Sequence, residues 1–142
     1  MPSINHIIKE NDMKKYLFLA LLLPLFTSCQ ESLEERAARE ARELTEKKCP
    51  MPVGELGNLF LDSLSFDIPT LTLHHYYSLV LDTLMAIPNP EEGRQGLIKE
   101  LNSIPSYHAY RERGYNFHYL YRFKQDPSFV YFETTLTKAD YQ

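Results

Sequence analysis

"TLTLHHYYSL", residues 70–79, alternates through its whole length. Leu71, Leu73, His75, Tyr77 and Leu79 fall on one side, and Thr72, His74, Tyr76 and Ser78 on the other. A period of two with one polar side marks a strand covered on a single face. "YNFHYLYRF" (115–123) repeats the pattern, with Tyr115, Phe117, Tyr119, Tyr121 and Phe123 opposite Asn116, His118, Leu120 and Arg122. Each strand has a partner beside it. "NLFLDSLSF" (58–66) precedes the first through the reversal "DIPT", and its alternation sets Phe60, Leu64 and Phe66 against Leu59 and Leu61. "FVYFETTLT" (129–137) follows the second through the turn "KQDPS".

Helices separate these strands. Residues 32–48, "SLEERAAREARELTEKK", carry a capping-box pair in Ser32 and Glu35, i,i+4 charge pairs, and a thin apolar stripe of Leu33, Ala37, Ala41 and Leu44. This helix is either a charged spacer or packs shallowly on the domain, and Pro50 and Pro52 end it. Asn89 as N-cap and Pro90 at the first helical position start a second helix, whose stripe is Leu97, Ile98, Leu101 and Ile104. Gly93 and Gly96 weaken its first turns, each by about 1 kcal/mol relative to Ala. Gly114 is placed to end a further turn or two. "VLDTLMAIP" (80–88) fits either a strand or a helix. The order, an N-terminal helix and then β-β-α-β-β, predicts an α+β fold: an antiparallel sheet with helices packed on one face.

The first 29 residues read differently. Lys14-Lys15, the apolar run "YLFLALLLPLF" (16–26) and the small residues Thr27-Ser28 are arranged as a secretory signal peptide, too short to span a membrane. Residues 1–12 are expected to be a mis-assigned start, 13–28 the signal, 29–48 the tether or N-terminal helix, and 49–142 a small α+β domain. "FTSC" (26–29) resembles the lipobox of bacterial lipoproteins, with Phe26 where an aliphatic residue is usual. The resemblance implies lipidation of Cys29 and a membrane attachment in which several acyl chains anchor stably. Gln30, where inner-membrane lipoproteins often carry Asp, implies the outer membrane, on either of its faces. "CPMPV" (49–53), "LDSLSF" (61–66), "TLTLHHYYSL", "GYNFHYLYRF" (114–123) and "TKADY" (137–141) are similar, in that order, to a family of small exported bacterial proteins and lipoproteins of unknown function. That resemblance implies no catalytic residues. Many members carry a second cysteine near 102–106 that this chain lacks.

From Cys29 onward, 12 Lys and Arg face 17 Asp and Glu, a net charge of −5. This argues against nucleic acid or an anionic lipid surface as partner. Cys49 then has no intramolecular partner and is read as a free thiol, small and apolar in its packing, or else as one half of a bridge between chains. His74 and His75 point to opposite faces and cannot share an ion, and no three- or four-ligand zinc spacing appears, so no metal or other cofactor is expected. Asp62-Ser63 and His118 lack the nucleophile elbow and oxyanion hole of a hydrolase, so no catalytic residue is assigned.

Aromatic richness is the more informative signal. His74, Tyr76, His118, Tyr119, Tyr121 and Tyr131 are the candidate binding face, because tyrosine joins apolar area to a polar tip and suits interfaces. The sequence therefore predicts a lipid-anchored envelope protein, not an enzyme, whose domain binds a protein partner through its open sheet face or an edge strand. The alternative reading is a small-ligand or glycan-binding lipoprotein using the same aromatic face.

Overall fold

A computed structural model describes residues 30–80 and 89–142. The signal-peptide region, Cys29 and most of the ambiguous 80–88 segment lie outside them. Leu33–Gln142 is one compact unit. It runs α1 (Leu33–Lys48), β1 (Met51–Val53), β2 (Leu59–Asp67), β3 (Thr72–Leu79), α2 (Pro90–Ser103), a 3-10 turn (Pro105–Tyr107), α3 (His108–Arg113), β4 (Asn116–Phe123), β5 (Val130–Leu136) and α4 (Lys138–Tyr141).

The α+β class and the element order are those expected. The five strands lie in sequence order. The sheet is not wholly antiparallel, however: β3 and β4 pair in parallel, from Thr72↔Asn116 to Leu79↔Phe123. Alternation looks the same in either orientation. The orientation is set by the long connection, which returns the chain to the end of the sheet where β3 began.

A second departure lies in β2. The pairing of β2 with β3 shifts register between Leu61 and Ser63, so Asp62 is an extra residue. That insertion turns Leu64 and Phe66 onto the face that already holds Leu59 and Leu61, and both Leu61 and Leu64 are buried. Strict alternation had placed them on opposite faces.

All the helices lie on one side. The core joins Ala37 and Ala41 of α1, Leu97 and Leu101 of α2, Tyr110 of α3 and Tyr141 of α4 to Leu64, Leu73, Phe117, Tyr119 and Leu136 of the sheet. Helix α1 packs on β2 and belongs to the folded unit. Its Ala37 and Ala41 let the backbones approach closely, and Thr45 fastens the contact. The Thr45 hydroxyl accepts from the Leu64 N–H at 2.8 Å and donates to the Leu64 carbonyl at 2.9 Å. Strand β1 pairs only with residues 59–61, and Thr45 satisfies β2 beyond that short partner.

The caps are those the sequence marks. The Asn89 side chain accepts from the Glu91 N–H, and Gly114 ends α3 at φ 78°. The closing "TKADY" is a single helical turn with a reciprocal Thr137–Asp140 capping box. Tyr141 is buried there and its hydroxyl donates to the Tyr115 carbonyl at 2.8 Å. Arg94 of α2 meets Asp140 at 2.6 Å and donates to Thr134 Oγ1 and the Thr135 carbonyl, tying α2, α4 and β5 together.

Candidate functional site

The six residues of the expected binding face divide between the two sides of the sheet. Tyr119 and Tyr121 are the correction. Neighbouring residues of a strand point to opposite faces, so with His118 on the open side both tyrosines turn toward the helices. Tyr119 is 4% exposed and stacks on His75 at 4.4 Å between ring centroids. Tyr121 is half-buried and stacks on Tyr77 at 4.7 Å. Tyr131 sits where the β4–β5 register shifts, with its ring edge-on to Phe123.

His74, Tyr76 and His118 do share the open face. His74 and His118 are direct cross-strand neighbours, and their Nδ1 atoms are 2.9 Å apart. His118 Nε2 donates to Glu133 Oε1 at 2.7 Å. The Tyr76 ring lies 6.0 Å from each imidazole. Around them Ser78 donates to Asp62, Lys124 lies over the Phe60 ring, and Leu120 is buried. Among the described residues no group of three metal-binding side chains converges. Burial and the neighbouring His118 push the His74 pKa down, against the opposing pull of Asp67.

His75, the other half of the "HH" pair, is 3% exposed under the helices. Its Nδ1 donates to the His118 carbonyl at 3.1 Å, which leaves Nε2 to accept from the Tyr107 hydroxyl at 3.0 Å. Both nitrogens are satisfied by the neutral ring, and burial pushes its pKa down to about 4. Burial likewise raises the phenols of Tyr77, Tyr119 and Tyr121 and pushes Tyr107 up to about 12, with the Glu100 carboxylate adding to each. Cys49 is a free thiol, half-buried beside the core, with its pKa raised by burial and by Asp62. That is the reverse of what a nucleophilic thiolate needs.

The sheet's helical side also carries a groove of about 340 Å³ that the sequence reading missed. Gly93, Gly96, Leu97 and Glu100 of α2 form one wall, and Tyr121, Tyr131 and Phe132 the other. Its width comes from the glycines. A Cβ on Gly93 would stand 3.3 Å from the Phe132 ring, and one on Gly96 would meet nothing within 4 Å among the described residues. Two mid-helix glycines three apart, each costing about 1 kcal/mol against Ala, were the available signal. Just before β5 Phe129, 47% exposed, stacks on Phe123 beside Tyr131, while Val130, 43% exposed, pairs with Arg122 and so faces the open side. Glu100 stands at the groove with no ion-pair partner among the described residues. A second groove of about 300 Å³ separates α1 from the 3-10 turn and α3.

A five-stranded mixed sheet with helices on one face defines a class of small α+β domains with solved representatives. A pilotin of the Vibrio vulnificus type II secretion system, EpsS, has a similar fold at 16% identity and a TM-score of 0.59, over 78% of this chain and 92% of that one. The type II secretion pilotin AspS of Vibrio cholerae is similar at 17% identity and a TM-score of 0.56, over 76% and 91%. A Pseudomonas aeruginosa protein described as secreted gives 13% identity and a TM-score of 0.60, over 80% and all of its length. Residues 32–132 match the domain of unknown function DUF8479, and the chain belongs to that family. A comparison with curated protein sequences finds no match.

Proposed function

We propose that this protein is a lipid-anchored accessory protein of the cell envelope, tethered through Cys29 at the outer membrane, and that it holds a segment of a partner protein in the groove between α2 and β4–β5. The observation that carries the reading is the glycine-walled aromatic groove, with exposed Phe129 stacked on the same Phe123 ring that meets Tyr131. Empty apolar space beside unpaired aromatic area is what a docking segment would fill. Glu100 selects the chemistry: an apolar or aromatic segment that also carries a lysine or arginine. The fold shared with two type II secretion pilotins supports an accessory role, and the signal-like sequence before Cys29 supports the envelope. The small-ligand or glycan reading loses Tyr119 and Tyr121 from the open face, and its aromatic residues Tyr121 and Tyr131 line this groove instead.

The test is crosslinking in intact cells from a photoreactive residue at position 131, compared with one at position 65 on the open face. The expected result is a single protein adduct from position 131, lost when Gly96→Leu fills the groove. An adduct from position 65 alone, or one from 131 that Gly96→Leu does not reduce, refutes the groove as the docking site.

A further inference from the structure

The open sheet face carries a second arrangement, independent of the groove. Ser65, His74, His118 and Thr135 form one row across β2, β3, β4 and β5. At its centre the two imidazoles face each other through their Nδ1 atoms at 2.9 Å, with centroids 4.9 Å apart and planes at 70°.

The protons on these rings are constrained. Glu133 Oε1, 2.7 Å from His118 Nε2, accepts that nitrogen's proton and leaves His118 Nδ1 as a lone pair. His74 Nδ1 is therefore the donor in the contact. One proton sits between two lone pairs, and a metal ion can take its place when His74 carries that proton on Nε2 instead, so that both rings ligate as neutral imidazoles. A carboxylate holding the distal N–H of a histidine is the usual outer shell of a metal-binding imidazole, where it fixes the tautomer and raises the basicity of the ligating nitrogen.

The 2.9 Å separation is that of the N–H···N hydrogen bond itself, so a small rotation of the two rings would bring both lone pairs onto one ion about 2.0–2.1 Å from each nitrogen. Among divalent ions the affinity order for such nitrogen sites favours copper. We infer that His74 and His118 form a two-imidazole site for cupric ion on the open sheet face, with Glu133 as a positioning residue and water completing the coordination.

The test uses the full chain, purified in detergent and stripped with a chelator, carrying His6→Gln and His108→Gln so that only His74, His75 and His118 remain. Titration with a cupric salt is read by calorimetry and by electron paramagnetic resonance. One ion per chain is expected, with hyperfine structure from two imidazole nitrogens, and binding abolished by His74→Gln or His118→Gln with the circular dichroism unchanged. Glu133→Ala, at an exposed position, should weaken binding 10–100-fold without removing it. The inference is overturned if the His74→Gln/His118→Gln double variant binds copper as the parent does. It is also overturned if zinc binds the parent as tightly as copper, since the site would then not follow the affinity order of a two-imidazole ligand set.

Discussion

Acidification should destabilise this domain through one buried ring, His75. The native state keeps its imidazole neutral down to a pKa of about 4, whereas the unfolded chain binds the proton near 6.5. Below 6.5 the unfolded state therefore holds more protons, and stability falls with pH. The contribution is intact above pH 6.5, is lost between 6.5 and 4, and falls no further below 4. Across that window one proton is worth at most about 1.4 kcal/mol per pH unit, or about 3 kcal/mol in all. That is a large share of the 5–15 kcal/mol typical of a whole domain. With a urea dependence of about 1–3 kcal/mol per molar, the unfolding midpoint should drop by about 1–3 M between pH 7 and 4.5. His75→Phe removes the titration but keeps a ring to stack on Tyr119. It forfeits the hydrogen bonds to the Tyr107 hydroxyl and the His118 carbonyl, a cost that does not vary with pH over this range. Urea melts of both proteins across pH 7.5–4.5 isolate His75, because His74 and the lowered carboxylates of Asp140 and Glu43 titrate in both. Parallel stability–pH curves for the two proteins would refute the reasoning.

Other outcomes follow from single contacts. Thr45→Val strips the donor and the acceptor from the Leu64 peptide and should cost about 1–3 kcal/mol in urea unfolding. Gly114→Ala places a Cβ at φ 78°, 3.1 Å from the Lys138 side chain, and should cost about 1–2 kcal/mol in the same assay. Arg94→Ala removes the bonds to Asp140, Thr134 and the Thr135 carbonyl; a loss of about 1–3 kcal/mol is expected, with faster hydrogen exchange in α4 as its local signature. Cys29→Ala should move the mature protein from the membrane to the soluble fraction on cell fractionation, and retention in the membrane would count against the lipid anchor.

The sequence was most legible where one interaction set the answer. Period-two alternation assigned β3 and β4 and divided each into two faces, because each of those strands is covered on one face only, but it did not keep Tyr119 and Tyr121 off the binding face. Caps were legible because Asn89, Pro90 and Gly114 satisfy local backbone demands without distant partners. The rest depended on contacts between segments far apart in the chain. The extra residue at Asp62 is defined only against its partner strand, so Leu61 and Leu64 could not be placed on one face from β2 alone. Parallel pairing of β3 with β4 left no mark on either strand. Glu133 was invisible as a partner of His118 because β5 had no register until it paired. The glycines of α2 were seen as weaknesses of a helix, since the groove they open has its other wall about 30 residues away at Tyr121, Tyr131 and Phe132.

The management of the sheet's edges bears on the proposed docking surface independently of the groove. Strand β1 is three residues long and carries Pro52, so it offers little to an incoming strand. Beyond β1, the Leu64 peptide of β2 is taken by Thr45 from α1. At the C-terminal half of β5, Arg94 occupies the Thr135 carbonyl while Asp140 fixes the arginine. The opposite half of β5 begins with Phe129 and Val130 exposed and runs past the register shift at Tyr131 into the groove wall. A register shift bends a strand and re-aims its side chains. Here it brings Tyr131 and Phe132 to the same groove, which strict alternation would forbid. Edge, exposed apolar surface and groove therefore meet at one corner of the molecule, away from the His74–His118 row. A partner at that corner could gain strand pairing and side-chain burial together. Gly96→Leu would remove the burial and leave the pairing, so a partial rather than complete loss of the position-131 adduct would mean that the edge contributes to docking as well.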